Sequence, residues 1–474
     1  MPITRRSLLS TTALAAPTLL LAQKSAPERP NVLFIAADDM NNALGCYGHP
    51  IVKSPNLDRL AASGVRFDRA YCQYPVCGPS RASLLTGLRP DSTHIFENNI
   101  SVRDKLPDVV TLPQMFRNNG YQSVRAGKMY HMDVPGSVGT NKWDDPPSWD
   151  VSISPPGKEQ HTVGKGRNVV GGKGNNRWDA IAFQGDGKDQ ADDRATEIAI
   201  ETMNKHKDGS WFLGLGYLRP HLPHVAPERF FDLYPLSNIH PVVNPANDLD
   251  DIPRASEITI NTRATDMGMN ENDKKEAIRA YYASVSYMDW QVGRVLASLD
   301  KLNLRRKTII VFWGDHGWHL GEHFRWHKRS LFEESMRAPL LLSAPGRKGN
   351  GKSTRSLVEF VDIFPTLAQL AGQTPPKNLE GQSLVPLLDN PSRPWKSAAF
   401  SVVTAPNGIM GRCALTDKYR YVRWTGPYPD EELYNHETDP KEYTNLAKLP
   451  QQAALLNQMR TVLDAGWQAA KAKV

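Results

Sequence analysis

Residues 31–39, NVLFIAADD, form a continuous apolar run that ends in two aspartates. Such a run is typical of a strand buried on both faces of a parallel sheet. Helical patterns follow at 190–206 and 270–304, and they lie among four further strand candidates: QSVRAG, WFLGLGY, KTIIVFWGD and APLLLSAPG. Because strands that alternate with helices build covered parallel sheets, the sequence predicts an α/β fold with a large, mixed, mostly parallel sheet between helical layers.

The length of 474 residues exceeds what one hydrophobic core usually organises, and it favours a large domain with a smaller companion. Near Pro391 the pattern changes, since GRCALTDKYRYVRWTG alternates like antiparallel strands and an amphipathic helix follows. We therefore predict a main domain over 27–390 and a C-terminal α+β subdomain with an antiparallel sheet over 391–474. Residues 134–189 are rich in glycine and proline and predict a long irregular segment, either a functional surface loop or disordered.

Residues 1–26 are predicted to be an export signal of the twin-arginine type. Arg5 and Arg6 precede an apolar run that is short for a membrane span, and small residues follow it. An uncleaved N-terminal anchor is the alternative. No later run reaches the length of a membrane span, so the mature protein is expected outside the cytoplasm, periplasmic or extracellular, with no membrane span.

The net charge argues against a nucleic-acid partner. The formal charge is +7, and Arg5, Arg6 and Lys24 of the predicted signal account for three of the positive charges, which leaves +4. That surplus is small, and the chain has no basic module interleaved with aromatic residues. The four cysteines show no C-x-x-C spacing, so no disulfide framework is predicted.

Acidic residues and a histidine follow two of the predicted strands. Asp38 and Asp39 end the first strand, and Asp315 and His316 end KTIIVFWGD. Ligands of open α/β sheets bind outside the carboxyl ends of the strands. Two such ends meeting in one crevice would form an oxygen-rich cage that suits calcium or magnesium.

Lysines and histidines follow three other segments. Lys128 and His131 come after QSVRAG, His221 and His224 come after WFLGLGY, and Lys328 lies in GDHGWHLGEHFRWHKRS. A cation combined with lysines and neutral histidines suits the hydrolysis of a small oxyanion ester, a sulfate or a phosphate. The histidines within the glycine-rich segment are expected to be hydrogen-bonded loop residues rather than zinc ligands on a helix; they are His319, His323 and His327.

Cys77 stands directly before Gly-Pro-Ser-Arg, where a helix is predicted to begin. A thiol at a helix N-terminus can be a nucleophile of lowered pKa. It can equally be a small apolar residue that fills space, or a residue that another enzyme converts. The residues alone leave these three alternatives open.

The run CGPSRASLLTG, residues 77–87, resembles the signature of the type I sulfatases, which belong to the alkaline phosphatase-like superfamily. In that family a formylglycine-generating enzyme converts the cysteine into formylglycine. The order of the other segments is similar to the family along almost the whole mature chain. Residues 281–341 and the C-terminal runs TDKYRYVRW and ELYNHETDP look most like the iduronate 2-sulfatase branch.

The resemblance implies a calcium site and a set of catalytic residues. Calcium would be held by Asp38, Asp39, Asp315 and His316, together with an oxygen of the modified Cys77. The catalytic set would be Cys77, Arg81, Lys128, His131, His221 and Lys328. Within this set, Arg81 would orient the formylglycine hydrate, His131 would hydrogen-bond it, and both lysines would bind sulfate oxygens. His221 would protonate the leaving group, with His224 as the alternative.

The implied function is hydrolysis of a sulfate ester on a sulfated sugar, exo-acting on oligosaccharides from polysaccharides or glycosaminoglycans. The implied partners are the sulfated carbohydrate and the formylglycine-generating enzyme. The alternatives are a phosphomonoesterase or phosphonate hydrolase of the same superfamily, or an inactive protein that binds sulfated glycans. The chain departs from the family pattern at Gly78, and from the iduronate branch at 97–99 and 412–413, so uronate specificity is not implied.

Overall fold

The structure is a computed structural model that describes residues 29–159, 161–170, 178–259 and 265–473. The predicted export signal lies outside these residues. An eight-stranded sheet forms the centre, and its strands are, in spatial order, β14 (Lys352–Thr354), β2 (Val65–Phe67), β13 (Leu340–Ser343), β10 (Thr308–Gly314), β1 (Asn31–Asp38), β8 (Trp211–Pro220), β4 (Gln122–Gly127) and β5 (Val151–Ile153).

Strand β1 lies in the middle of this sheet and pairs in parallel with β10 and β8. The pairs β8–β4, β4–β5 and β2–β14 are also parallel. Strand β13, from the APLLLSAPG run, is antiparallel to both β10 and β2. The predicted mixed, mostly parallel sheet is confirmed.

Helices cover both faces of the sheet because the side chains of β1 alternate between two cores. Leu33 and Ile35 belong to one apolar cluster, and Val32 and Phe34 belong to the other. The helices of the described residues are α1 (Pro55–Ser63), α2 (Cys77–Thr86), α3 (Pro90–Thr93), α4 (Val102–Lys105), α5 (Leu112–Asn118), α6 (Ala191–Lys205), α7 (Glu228–Phe231), α8 (Arg254–Thr259), α9 (Glu271–Lys301), α10 (Glu333–Met336), α11 (Ile363–Leu370), α12 (Val385–Asp389) and α13 (Ala453–Ala470).

A separate antiparallel sheet of four strands follows the main sheet in the sequence, as predicted. It carries α13 against it, with an apolar cluster that includes Tyr421, Leu433 and Met459. Its strands are β16 (Ala399–Ala405), β17 (Ile409–Leu415), β18 (Tyr419–Thr425) and β19 (Asp430–Asn435).

The segment 134–189 is more ordered than its composition predicts. It contributes β5 to the main sheet, and two of its strands join a three-stranded sheet. Trp149 within it is buried against Phe212, with 6.2 Å between the ring centroids. The three-stranded sheet consists of β6 (Lys165–Asn168), β7 (Asp179–Phe183) and β9 (His224–Pro227). Among the described residues, β3 (Ala70–Tyr71) also pairs with β15 (Val358–Glu359), and β11 (His319–Leu320) pairs with β12 (Trp326–His327).

Two further properties concern the described residues as a whole. All four cysteines are free thiols. Within the described ranges, no helix combines the length and the apolar character that crossing a membrane requires.

The close approach of β4 to β8 depends on Gly216. A Cβ atom at this position would lie 1.8 Å from the carbonyl oxygen of Lys128. We predict that Gly216→Ala lowers the free energy of unfolding by about 3 kcal/mol, because two backbones must separate. Gly209→Ala is the matched control, since its nearest neighbour lies at 3.8 Å. Chemical denaturation measures both variants, and equal stability of the two would contradict the prediction.

Candidate active site

The acidic residues meet because β1 and β10 run parallel and in register. Ala37 lies opposite Gly314, so both chains leave the sheet at the same edge. Asp39 has a left-handed backbone, with a φ of 58°. Its amide donates to Asp315 Oδ1 at 3.0 Å, which joins the two strand ends directly.

Arg81 of α2 bridges the two strand ends with its guanidinium group. Nε donates to Asp315 Oδ2 at 2.9 Å, and Nη2 donates to Asp38 Oδ1 at 3.1 Å. Nη1 donates to the carbonyl oxygens of Lys128 and Met129, at 2.8 and 3.1 Å. The side chain is fully buried. Burial alone would lower its pKa, but Asp315 and Asp38 raise it, so Arg81 stays charged.

Cys77 is the first residue of α2, and its thiol lies among charged groups. Its Sγ is 3.1 Å from Lys328 Nζ, 3.3 Å from His316 Nε2 and 3.7 Å from Asp39 Oδ1. Burial, reinforced by the charge of Asp38, raises the pKa of this thiol well above its ordinary value. This direction favours the protonated thiol and argues against a thiolate nucleophile of lowered pKa.

Two lysines neutralise the carboxylates of the first strand end. Lys128 Nζ donates to Asp38 Oδ2 at 2.5 Å, and Lys328 Nζ donates to Asp39 Oδ1. Burial raises the pKa of Asp38, but Lys128 and the other neighbouring positive charges outweigh it and hold that pKa well below its usual value. The ammonium group of Lys328 also lies 5.4 Å from the centre of the Trp318 ring.

His316 and His221 are oriented by backbone carbonyl groups. His316 Nδ1 lies 2.9 Å from the Gly317 oxygen, and His221 Nδ1 lies 2.6 Å from the Leu222 oxygen. Because a carbonyl only accepts, Nδ1 carries the proton in both rings, and Nε2 presents a lone pair. These Nε2 atoms lie 3.4 and 3.5 Å from the two oxygens of Asp39. Burial lowers the pKa of both histidines, so both are neutral.

The other two candidate histidines lie apart from this contact network. His131 Nε2 lies 3.2 Å from Asp133 Oδ1, so its hydrogen bond goes to that carboxylate rather than to Cys77. His224 packs edge-on against Trp178 and Tyr281, with centroids 5.7 and 5.6 Å away. Of the two histidines in RPHLPH, the first is therefore the one in contact with the carboxylates.

Sequence reasoning missed residues that support the site from distant parts of the chain. Tyr281 of α9 donates its hydroxyl to the Asp39 carbonyl at 2.8 Å and accepts from the Asn41 amide at 2.9 Å. Ser80 Oγ donates to the carbonyl of Asp315. Tyr281 stands in a predicted helix and Ser80 in the signature run, and neither position reports a contact with a residue hundreds of positions away.

Two departures from the family pattern are in contact with each other. The amide of Gly78 donates to Asn98 Oδ1 at 2.8 Å. A Cβ atom at position 78 would lie 2.9 Å from both the Cα and Oδ1 of Asn98. A larger residue at position 78 would therefore displace Asn98, so the glycine at 78 and the asparagine at 98 fit each other.

A pair of arginines tests how much the bridge at Arg81 contributes. A lysine has one ammonium group and can hold only one of the two buried carboxylates. We therefore predict that Arg81→Lys lowers the free energy of unfolding by about 3 kcal/mol. Arg412→Lys is the control, because its two 2.8 Å bonds to Asp91 are exposed, and its effect should stay within about 0.5 kcal/mol. Equal losses in denaturation experiments would contradict this account.

A mostly parallel sheet with carboxylates, lysines and a helix N-terminus at its carboxyl edge is the arrangement expected of an enzyme that hydrolyses oxyanion esters. The chain belongs to the sulfatase family, whose family model, described as Sulfatase, matches residues 30–373. A second family model, described as N-sulphoglucosamine sulphohydrolase, C-terminal, matches residues 321–468. Members of this family are sulfuric ester hydrolases, so the predicted family and enzyme class are confirmed.

Individual relatives agree with this family. A sulfatase of Formosa agariphila is 34% identical over 462 residues, which span 93% of this chain and 88% of the relative. Iduronate 2-sulfatase of Mus musculus is 33% identical over 521 residues, which span 92% and 94%. The phosphonate monoester hydrolase of Agrobacterium radiobacter has the same fold, with a TM-score of 0.78, 22% identity, and coverage of 93% of this chain and 96% of that one.

Proposed function

We propose that the protein is a calcium- and formylglycine-dependent sulfatase that removes a sulfate ester from a sulfated sugar. We further propose that it is similar to iduronate 2-sulfatase in acting from the end of oligosaccharides derived from polysaccharides or glycosaminoglycans. The position of Cys77 carries the proposal. Its Sγ lies within 3.7 Å of a lysine, a histidine and a carboxylate that converge from three segments.

The donor atoms fit calcium. One carboxylate oxygen from each of Asp38, Asp39 and Asp315 lies within 4.8 Å of the other two, and Asp39, Cys77 and His316 form a second such group. Asp39 Oδ2 is buried without a hydrogen-bond partner among the described residues. Oxygen-rich sets of this kind favour hard cations. Bound calcium would supply positive charge beside the transferring sulfate.

Position 77 also fits formylglycine. Once made and hydrated, this residue would supply the hydroxyl group that attacks sulfur. The signature residues Cys77 and Arg81 are both buried in the folded chain. The formylglycine-generating enzyme, as the proposed partner, must therefore read the signature before the chain folds.

Lys128 and Lys328 are proposed to bind sulfate oxygens. Each ammonium group already contacts a carboxylate at the edge of the sheet, so each is held near the place where negative charge develops. Arg81 is proposed to act as a positioning residue, because its donors hold Asp38 and Asp315 in fixed places.

His221 is proposed to protonate the leaving group. Its Nε2 faces the site, and burial lowers the pKa of the ring, which favours the neutral form. A bound anionic ester would favour the protonated ring, and His221 would then carry the proton that the leaving group needs. His131 is proposed to hydrogen-bond the modified side chain at position 77 through Nδ1, which is buried without a hydrogen-bond partner among the described residues, while Asp133 holds Nε2.

Phosphomonoester or phosphonate hydrolysis is the second candidate, because a phosphonate monoester hydrolase shares the fold. Glycan binding without catalysis is the third. A protein that only binds glycans would be expected to have lost at least one of four residues, and all four are present and joined in one network: Cys77, Arg81, Lys128 and Lys328. Comparing turnover of matched sulfate and phosphate esters separates the three candidates.

We also propose the boundaries and location given by the sequence. Residues 1–26 would direct export to the periplasm or the exterior, 27–390 would form the catalytic domain, and 391–474 would form the C-terminal subdomain. The antiparallel sheet begins at Ala399, which agrees with a boundary just before it.

Replacing the proposed nucleophile tests the chemistry. We expect Cys77→Ala to lower sulfate release from a sulfated disaccharide by about 10⁴-fold or more, since the modified residue can no longer be made. Cys413→Ala is the control, because it removes another buried free thiol from β17. Turnover is measured on matured protein, with circular dichroism as the check of folding. Unchanged turnover in Cys77→Ala would end the proposal.

Removing calcium tests the metal site. EDTA treatment and exhaustive dialysis should suppress sulfate release, and calcium alone should restore it, because three clustered carboxylates then lose their counter-ion. Calcium content and turnover are followed together. Full turnover in protein shown to be free of calcium would refute the assignment.

A further inference from the structure

A second cluster of ionisable side chains, two of them buried and one half-buried, lies between the loop that carries Lys328 and the C-terminal sheet. His323 lies in a turn after β11, and Glu334 lies in α10. Glu442 lies in the chain that follows β19. One ligand nitrogen of His323 and one carboxylate oxygen from each glutamate lie within 4.8 Å of one another.

His323 has one ring nitrogen that is used and one that is not. Nδ1 lies 3.1 and 3.2 Å from the two oxygens of Asp248, so Nδ1 carries the proton. Nε2 is buried and has no hydrogen-bond partner among the described residues, and the whole residue is 1% exposed. The ring stacks on Phe332 with centroids 4.0 Å apart, which fixes its direction. Histidines that bind a metal usually donate their other ring N–H to a carboxylate or carbonyl in this way.

Glu334 supplies a second group without a partner. Its Oε2 is buried and accepts no hydrogen bond from the described part of the chain. Burial, together with the charges of Glu322 and Glu442, raises the pKa of this carboxyl to about 7. A positive charge beside Glu334 would pair with the unpartnered oxygen and would lower the pKa of the carboxyl group.

Glu442 is fixed and ionised. Its Oε1 accepts from Arg420 Nε and His436 Nε2, both at 2.6 Å, and Oε2 accepts from the Glu333 amide at 3.1 Å. Although burial raises its pKa, Arg420 and His436 lower it to about 2. An ionised carboxylate oxygen has further lone pairs, so Glu442 can bind a cation as well.

The charges around the cluster favour a cation. Three cationic side chains, Arg325, Arg420 and His436, lie among four carboxylates, one more than they can balance. The carboxylates are Asp248, Glu334, Glu432 and Glu442. One imidazole nitrogen and two carboxylates match the donor set of zinc and related ions.

We propose that His323, Glu334 and Glu442 bind a divalent transition-metal ion of the zinc class. The ion ties the loop 319–334 to the C-terminal chain and so holds the segment on which Lys328 stands. This site shares no residue with the proposed calcium site, and its imidazole favours a softer ion. The proposal does not depend on the function proposed above.

A shared proton is the competing arrangement, in which protonated Glu334 donates to His323 Nε2. Glu334→Gln separates the two, because an amide can still donate this hydrogen bond but binds a metal poorly. The matched control is Glu432→Gln, which alters a neighbouring carboxylate that contacts Arg420 but lies outside the three ligands.

The experiment uses the full mature chain, stripped of metal and then dialysed against zinc with calcium in excess, so that the calcium site stays filled. Metal content by plasma mass spectrometry and melting temperature by calorimetry are the readouts. We expect one zinc per wild-type chain and a rise in melting temperature of about 3 °C at 100 times the dissociation constant.

We expect Glu334→Gln to bind zinc at least about 100-fold more weakly and to show no rise in melting temperature with zinc. Glu432→Gln should keep both the zinc affinity and the rise in melting temperature. Wild-type protein that takes up no zinc would overturn the proposal without any variant. Zinc binding that survives Glu334→Gln, or that Glu432→Gln abolishes equally, would also overturn it.

Discussion

The bridge from Arg81 to Asp38 and Asp315 is the constraint on which the site depends. Two adjacent strand ends bring like charges together in a buried place, and this arrangement is costly without a counter-charge of fixed geometry. The guanidinium group has that geometry, and its remaining donors reach the backbone after β4. Arg81 stands one turn into α2. The hydrogen bonds of its guanidinium group therefore also place Cys77, the first residue of that helix, at the carboxylates.

The positive charges and the lone pairs around Cys77 come from separate segments, yet each is oriented before any substrate arrives. Lys128 follows β4, Lys328 follows β12, and His316 follows β10. The two histidines that face Asp39 have their tautomers set by backbone carbonyls, so their free nitrogens point inward. The proposed sulfate transfer would depend on charge that is already in position, and this arrangement would supply it.

The sequence predicts the sheet, the long helix α9 and the residues at the strand ends, because apolar runs and strand-end aspartates are local signals. It does not predict that β13 runs antiparallel, since an apolar run has no direction. His221 and His224 have equivalent local contexts, and it takes the folded chain to separate them: His221 Nε2 lies 3.5 Å from Asp39, whereas His224 packs against aromatic rings. The contact of Gly78 with Asn98 joins positions 20 residues apart and needs the folded chain.

The most direct test is mass spectrometry of the peptide that contains Cys77, taken from a preparation that hydrolyses a sulfate ester. The account predicts a mass lower by about 18 Da, because the thiol has become an aldehyde, in a fraction of chains that tracks the active fraction. An active preparation in which Cys77 is an unmodified thiol in every chain would contradict it.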